Sequence, residues 1–207
     1  MGVVSTAHLR ELDDEELIQS ARGAPAEALR KIVSELARRH HQAITGFLYG
    51  MLRDRTAAED LAQETFVRIF NHANDYKPIA KFATWLHAIA RNLALNELRN
   101  RKKRPTLALN QKDGDTSENE AIERLAKDDR PPVEEAQRNE TQAELRRAVD
   151  ELPEPFRLVL VLCDLQQLSY QEAAAVLDVP IGTVRSRLSR ARAHLEERMR
   201  KFLGSVA

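Results

Sequence analysis

Residues 110–140 read NQKDGDTSENEAIERLAKDDRPPVEEAQRNE. The stretch holds ten acidic and five basic residues, with Gly114, Pro131, Pro132 and few large apolar side chains. Such a segment cannot bury enough apolar surface to offset the entropy lost on ordering it. It therefore reads as a flexible acidic linker over 105–137 and divides the chain. Residues 10–104 and 138–203 must each close a core of their own. Both flanks carry apolar residues at helical spacing, and no internal repeat is visible. The expected fold class is all-α: two small helical domains joined by a flexible acidic linker.

The first flank reads as four helices. Acids at 13–16 open one over 13–23, favoured by the helix dipole. Leu29, Ile32, Val33, Leu36, Ile44, Phe47, Leu48 and Leu52 give 26–52 an apolar stripe. A third helix over 53–70 is expected to open with Thr56 and Glu59 as a capping box. Residues 71–82, NHANDYKPIAKF, are irregular, broken by Pro78, Asn and Asp. A fourth helix covers 82–104, with Trp85, Leu86, Ile89, Leu93 and Leu98 toward the core.

The second flank carries LSYQEAAAVLDVPIGTVRSRL at 168–188. Ser169 with Glu172 is a capping-box pattern. Ala173, Ala174, Val176 and Leu177 form a small apolar face that lets another helix come close. Asp178-Val179-Pro180 breaks the helix, since Pro180 lacks an amide and restricts the residue before it. Many such turns use Gly where Asp178 stands, and Asp tolerates the left-handed conformation better than most residues. A second helix opens at Gly182 or Thr183. Its Val184, Leu188, Ala191 and Leu195 form one stripe, leaving Arg185, Ser186, Arg187, Ser189 and Arg190 around the other faces. This is the helix-turn-helix pattern, whose second helix enters a DNA major groove. Arg and Ser can read base edges there while other cations hold phosphates.

Net charge is zero, but its distribution is uneven. Residues 181–201 hold seven Arg/Lys against two Glu, and RNRKKR at 99–104 adds five cations. Two basic patches flanking an acidic tether suit one long polyanion. A single cysteine, Cys163, excludes an internal disulfide and suits a reducing cytoplasm. It lies in the apolar run LVLVLC and is expected to be a buried core thiol. No stretch has the roughly 18–20 apolar residues of a membrane span. The N-terminus, acidic by residue 11, is not expected to be a signal peptide. His40, His41, His72, His87 and His194 are scattered, so neither metal nor cofactor is expected and no reaction is assigned to the chain.

One further face stands out on the third helix. Asp60, Gln63 and Glu64 lie at i, i+3 and i+4, while Leu61, Thr65, Phe66 and Ile69 turn inward. By itself this is an ordinary solvated face.

In combination, AEDLAQETFVRIF, FATWLHAIARNLALNELR and LPEPFRLVLVLCDLQQLSYQEAAAVLDVPIGTVRSRLSRARAHL resemble the bacterial sigma factors of the extracytoplasmic-function type, group 4 of the sigma-70 family. The resemblance runs over 13–203 in the family's order: region 2, a linker without region 3, region 4. It implies that Asp60, Leu61, Gln63 and Glu64 dock on the clamp coiled coil of the largest subunit of core RNA polymerase. It implies that the loop 71–81 and the helix after it melt the promoter −10 element, with a flipped non-template base held in the loop. Tyr76, Phe82 and Trp85 are the stacking candidates, Tyr76 foremost because it lies in the loop. Lys77, Lys81, Arg91, Asn92 and Arg99 are candidates for holding that strand. It implies −35 recognition by Thr183, Arg185, Ser186, Arg187, Ser189 and Arg190, with Arg185, Ser186, Ser189 and Arg190 facing the bases or the groove and Arg187, Arg192 and Arg198 as phosphate holders or helix-surface charges. The apolar helix 155–165 would meet the flap of the second-largest subunit. Family members are commonly held inactive by an anti-sigma factor. The rival reading is a stand-alone helix-turn-helix regulator whose N-terminal domain senses a ligand or dimerises.

Overall fold

A computed structural model describes the backbone of residues 6–103 and 132–206 and the side chains of 8–103 and 139–204. No strand occurs among the described residues. In chain order the helices are α1 (Thr6–Glu11), α2 (Asp14–Ser20), α3 (Ala26–Leu52), α4 (Arg55–His72), α5 (Phe82–Lys103), α6 (Pro132–Glu151), α7 (Glu154–Leu160), α8 (Tyr170–Leu177) and α9 (Ile181–Val206). A 3₁₀ turn, Ala73–Asp75, follows α4, and a π-helical turn, Val161–Leu165, continues α7. Of the linker read over 105–137, residues 105–131 lie outside the described residues. Its last residues belong to α6, which starts with Pro132 at the position where a missing amide costs nothing.

The local chemistry explains the boundaries. Asp13 caps α2 in a complete capping box with Glu16. The helix over 55–72 starts differently from the expectation. Its cap is Asp54, whose Oδ1 accepts from the Ala57 amide at 3.0 Å, and no Thr56–Glu59 box forms. Asp54 leads the pair because its other oxygen, Oδ2, also receives Arg101 from the end of α5 at 2.8 Å. One carboxylate thus closes the start of α4 and the end of α5. Ser169 and Glu172 do form their box, at 2.7 and 3.3 Å. Asp178 ends α8 in the left-handed conformation, φ 55°.

α3, α4 and α5 form the first core around Leu36, Ile44, Phe47, Leu48, Phe66, Ile69 and Leu86. The short α1, absent from the sequence reading, closes one end by burying Leu9. Arg39 ties this corner together. Its guanidinium donates to the Leu9, Arg10 and Leu12 carbonyls and to Asp14, while its Nε reaches Glu35. Arg38, with Arg39 behind it, holds the buried Glu35 carboxyl down to about 2. The second core packs α9 across α7, α8 and α6 through Leu158, Leu162, Val176, Val184, Leu188 and Ala191. Cys163 is buried there, and burial raises its thiol pKa.

The two cores touch. α3 meets α7, and α5 packs on α8. Arg157 of α7, 5% exposed, donates Nη2 and Nε to the Gly50 carbonyl at 2.6 and 3.2 Å. Its Nη1 donates to the Leu152 and Asp150 carbonyls at 2.6 and 3.3 Å. The helices approach closely at Gly50, where a side chain larger than a methyl would press on α7. A Cβ there would already lie 3.4 Å from Leu158 Cδ2. Arg53, left-handed at the end of α3, adds an ion pair to Asp150 at 2.8 Å and donates to the Asp150 carbonyl.

His87 of α5 carries a pH signature. It is 1% exposed against Phe47, its Nδ1–H donates to the Ala83 carbonyl at 2.7 Å, and its Nε2 has no partner. Burial pushes its pKa down to about 4 from an ordinary 6.5. The unfolded chain therefore binds the proton first, so this contribution to stability is complete above about 6.5 and is lost as pH falls toward about 4. We predict that thermal melts of a His87→Leu variant depend less on pH between 6.5 and 5 than those of the parent chain. Identical slopes would show that the ring titrates normally.

Candidate nucleic-acid interface

α9 is built for presentation. Pro180 starts it, its carbonyl accepting the Thr183 and Val184 amides at 2.9 and 3.2 Å. Val184, Leu188 and Ala191 are buried, which fixes the helix's rotation about its axis. Arg185, Ser186, Ser189 and Arg190 then stand exposed, with Thr183 and Arg187 half-buried at the edges. The Ser186 hydroxyl donates to the Thr183 carbonyl at 3.1 Å, leaving its lone pairs outward. Tyr170, the first residue of α8, lines a shallow groove with Arg185, Ser189 and Arg192. The sequence reading passed over it because an aromatic at a helix start is an ordinary core residue.

Two of the expected phosphate holders are engaged inside the protein. Arg192 makes a bidentate pair with Asp164, Nη2–Oδ1 2.6 Å and Nε–Oδ2 3.0 Å, which raises its pKa further. Arg198 reaches Glu144 at 2.8 Å and Glu151 at 3.5 Å. Both guanidiniums nevertheless remain about half exposed, their side chains at 54% and 46%. The Arg192 pair joins α9 to the π-helical turn, so it orients the helix rather than offering a free cation.

The second cluster surrounds the loop between α4 and α5. Lys77 and Lys81 are exposed, as are Asn92 and Arg99, while Arg91 is half-buried. Arg99 donates to Asn96 Oδ1 at 3.2 Å. Tyr76 is not an exposed loop residue: it is 2% exposed, and its hydroxyl donates to the Ala80 carbonyl at 3.0 Å. The loop folds back and tucks the ring against Trp85, centroids 5.2 Å apart. Phe82 is fully buried beside His40, and its amide donates to Glu15 at 3.1 Å. Trp85 is half-buried and lines an open groove of about 340 Å³ with Lys77, Ile79 and Thr84. Of the three aromatics it alone offers surface. Ile79, 87% exposed, was missed; an isoleucine after Pro78 in a polar loop was its only signal. The Thr84 hydroxyl is buried without a partner.

The third face is that of α4. Thr65, Phe66 and Ile69 are buried, and the Thr65 hydroxyl donates to the Leu61 carbonyl at 2.7 Å. Asp60 and Gln63 are exposed; Leu61 is half-buried against the core. Glu64 pairs with Arg68 at 3.1 Å. Val67, 51% exposed, continues the same stripe at i+7 from Asp60 and gives it an apolar end that the sequence reading did not include.

Comparison with known proteins agrees with this architecture. Residues 36–104 match the model of sigma-70 region 2, and 142–195 that of sigma-70 region 4. The chain is 33% identical to the ECF RNA polymerase sigma factor SigE of Mycolicibacterium smegmatis, over 99% of this chain and 79% of that protein. It is 29% identical to the RNA polymerase sigma-H factor of Pseudomonas aeruginosa, over 94% and 98%. Among solved structures it resembles CnrH in complex with the cytosolic domain of CnrY, with TM-score 0.56 and 25% identity over 89% of this chain and 95% of that one. Regions 2 and 4 are thus present, in order, on one chain whose described residues form helices and no strand. It belongs to the extracytoplasmic-function sigma factors, the subunits that bind core RNA polymerase and direct promoter-specific initiation of transcription.

Proposed function

We propose that three faces divide the sigma factor's work. Asp60, Leu61, Gln63 and Glu64, extended by Val67, dock region 2 on the clamp coiled coil of the polymerase's largest subunit. The groove of Lys77, Ile79 and Trp85, with Lys81, Arg91, Asn92 and Arg99 beside it, receives the melted −10 strand. Trp85 takes the stacking role first assigned to Tyr76, whose buried ring instead braces the groove. Thr183, Arg185, Ser186, Arg187, Ser189 and Arg190 read the −35 element. Of the helix 155–165, expected to meet the polymerase flap, Arg157–Cys163 are buried in this arrangement, which leaves its exposed ends, Pro155 and Leu165, for that contact. The chain works in the cytoplasm and catalyses no reaction itself. It contributes binding energy that positions and opens DNA for the polymerase.

The observation that carries this reading is the fixed rotation of α9. Its buried Val184–Leu188–Ala191 stripe leaves Arg185, Ser186, Ser189 and Arg190 on one outward face. Control by an anti-sigma factor fits the same surfaces, and CnrH, similar along most of its length, is solved with a bound cytosolic domain. The rival, a stand-alone regulator, has no need for the α4 face.

Run-off transcription with purified core polymerase tests the docking role. We predict discrete start sites that depend on this protein and fall by at least about tenfold in an Asp60→Ala/Gln63→Ala/Glu64→Ala variant that still folds. Unchanged output would remove the face from the interface. For α9, Asp164→Asn should loosen the Arg192 pair and weaken binding of the polymerase complex to a −35 duplex by about three- to tenfold, with the base preference kept. Full affinity would show that Asp164 has no part in orienting the helix.

A further inference from the structure

The first amides of a helix have no partner within it. In α5 the residue before the helix is Lys81, whose side chain donates and cannot accept. The Lys81 carbonyl accepts the Thr84 and Trp85 amides at 3.0 and 3.2 Å. The Phe82 amide goes instead to Glu15 Oε1 of α2, at 3.1 Å and 67 residues away in the chain. A carboxylate there also faces the positive end of the α5 dipole. Asp14 beside it holds His40 Nε2 at 2.7 Å, and the His40 ring meets Phe82 edge-on. The loop's other end is tied to the same element. Asn74 Oδ1, in the turn after α4, accepts the Gly23 amide at 2.9 Å, and Gly23, left-handed at φ 68°, lies three residues past the end of α2. Between the two anchors the Tyr76 hydroxyl closes the loop on the Ala80 carbonyl. Burial raises that phenol's pKa, and the Glu15 carboxylate nearby adds to the rise. α2 is itself seated by Leu17 and Ile18, both fully buried. Glu15 and Gly23 precede the segment matched to region 2, which starts at residue 36.

From these two anchors we infer that α2 is a positioning element of the strand groove: the Glu15–Phe82 and Gly23–Asn74 hydrogen bonds hold the loop at both ends and set where Lys77, Ile79, Lys81 and Trp85 stand. The inference rests on the sigma-factor reading of that groove. Glu15 acts through Phe82, the first residue of α5, three residues before Trp85. Unstacking a base costs energy that stacking on an aromatic ring and contacts to the phosphates must offset. A loop displaced by the loss of an anchor weakens those contacts. The deficit then falls on opening the DNA. Docking on polymerase, proposed for the separate face of α4, is spared.

Three variants and two templates test this. A promoter found by run-off transcription with the parent chain and core polymerase is prepared fully duplex, and again with a mismatched bubble across the −10 element that keeps the non-template sequence. Glu15→Ala removes the acceptor of the Phe82 amide. Glu15→Gln keeps an oxygen that accepts it. Asn74→Ala removes the other anchor at an exposed position. On the duplex template the expected run-off product falls about five- to tenfold in Glu15→Ala and about two- to threefold in Asn74→Ala, and stays within about twofold of the parent in Glu15→Gln. On the bubble template all three variants are expected within about twofold of the parent, because the DNA is already open. Parent-like output of both alanine variants on the duplex overturns the inference. So does an equal loss on both templates, which marks a general loss of fold or docking, and so does a Glu15→Gln variant as impaired as Glu15→Ala. The parent chain separates the two levels. With protein-dependent transcripts and any of those three results, only the positioning role falls. Without transcripts, the sigma-factor reading of the groove falls and the inference with it.

Discussion

A guanidinium on a helix-end carbonyl sets the arrangement of this molecule. Arg157 lies at the junction of the two domains with backbone carbonyls as its hydrogen-bond partners: Gly50 from region 2, Asp150 and Leu152 from region 4. The last carbonyls of α3 have no partner within their own helix and carry the negative end of its dipole. A cation there satisfies both. Once buried, each side depends on the other, because a charged donor stripped of water and left without acceptors is costly. Gly50 keeps the approach open: a Cβ there would sit in ordinary contact with Leu158 Cδ2, 3.4 Å away, and a larger side chain would press on α7.

From that junction the rest of the closed arrangement follows. With α7 fixed on α3, α8 is laid along α5, and the DNA-binding unit of region 4 meets the loop and helix of region 2. The outward faces differ in character. α9 keeps Arg185, Ser186, Ser189 and Arg190 exposed in the closed state, whereas the Trp85 groove is walled by Ala175 and Val176. The two faces thus differ before any partner binds: the α9 face is open, and the Trp85 groove is shared between the domains.

Much of the fold was legible in the sequence, and the reasons are local. The 26–52 and 82–103 helices carry long unbroken apolar periodicities, and the Ser169–Glu172 box and the break at Asp178–Pro180 depend only on neighbours within a turn. The cap at Asp54 was misplaced because Thr56 and Glu59 fit the same local pattern. What favours Asp54 is Arg101, 47 residues away. The site was legible wherever a face is defined by its own helix, as on α9 and α4. It was not where the chain folds back. Tyr76 reads as an exposed loop aromatic, and only the turn that brings Ala80 to its hydroxyl buries it. Arg192 and Arg198 read as free cations, and their carboxylate partners lie 28 and 54 residues away. The Arg157–Gly50 contact spans 107 residues and had no sequence signal.

The central claim is that the Arg157–Gly50 junction holds the two domains in one closed arrangement. Spin labels at the exposed positions Arg22 and His194, one in each domain, with Cys163 replaced, report this directly by dipolar distance measurement. The account predicts a single narrow distance for the parent chain, matching the closed arrangement, that broadens in an Arg157→Ala variant. A broad distribution in the parent chain, or an unchanged one in the variant, would contradict it.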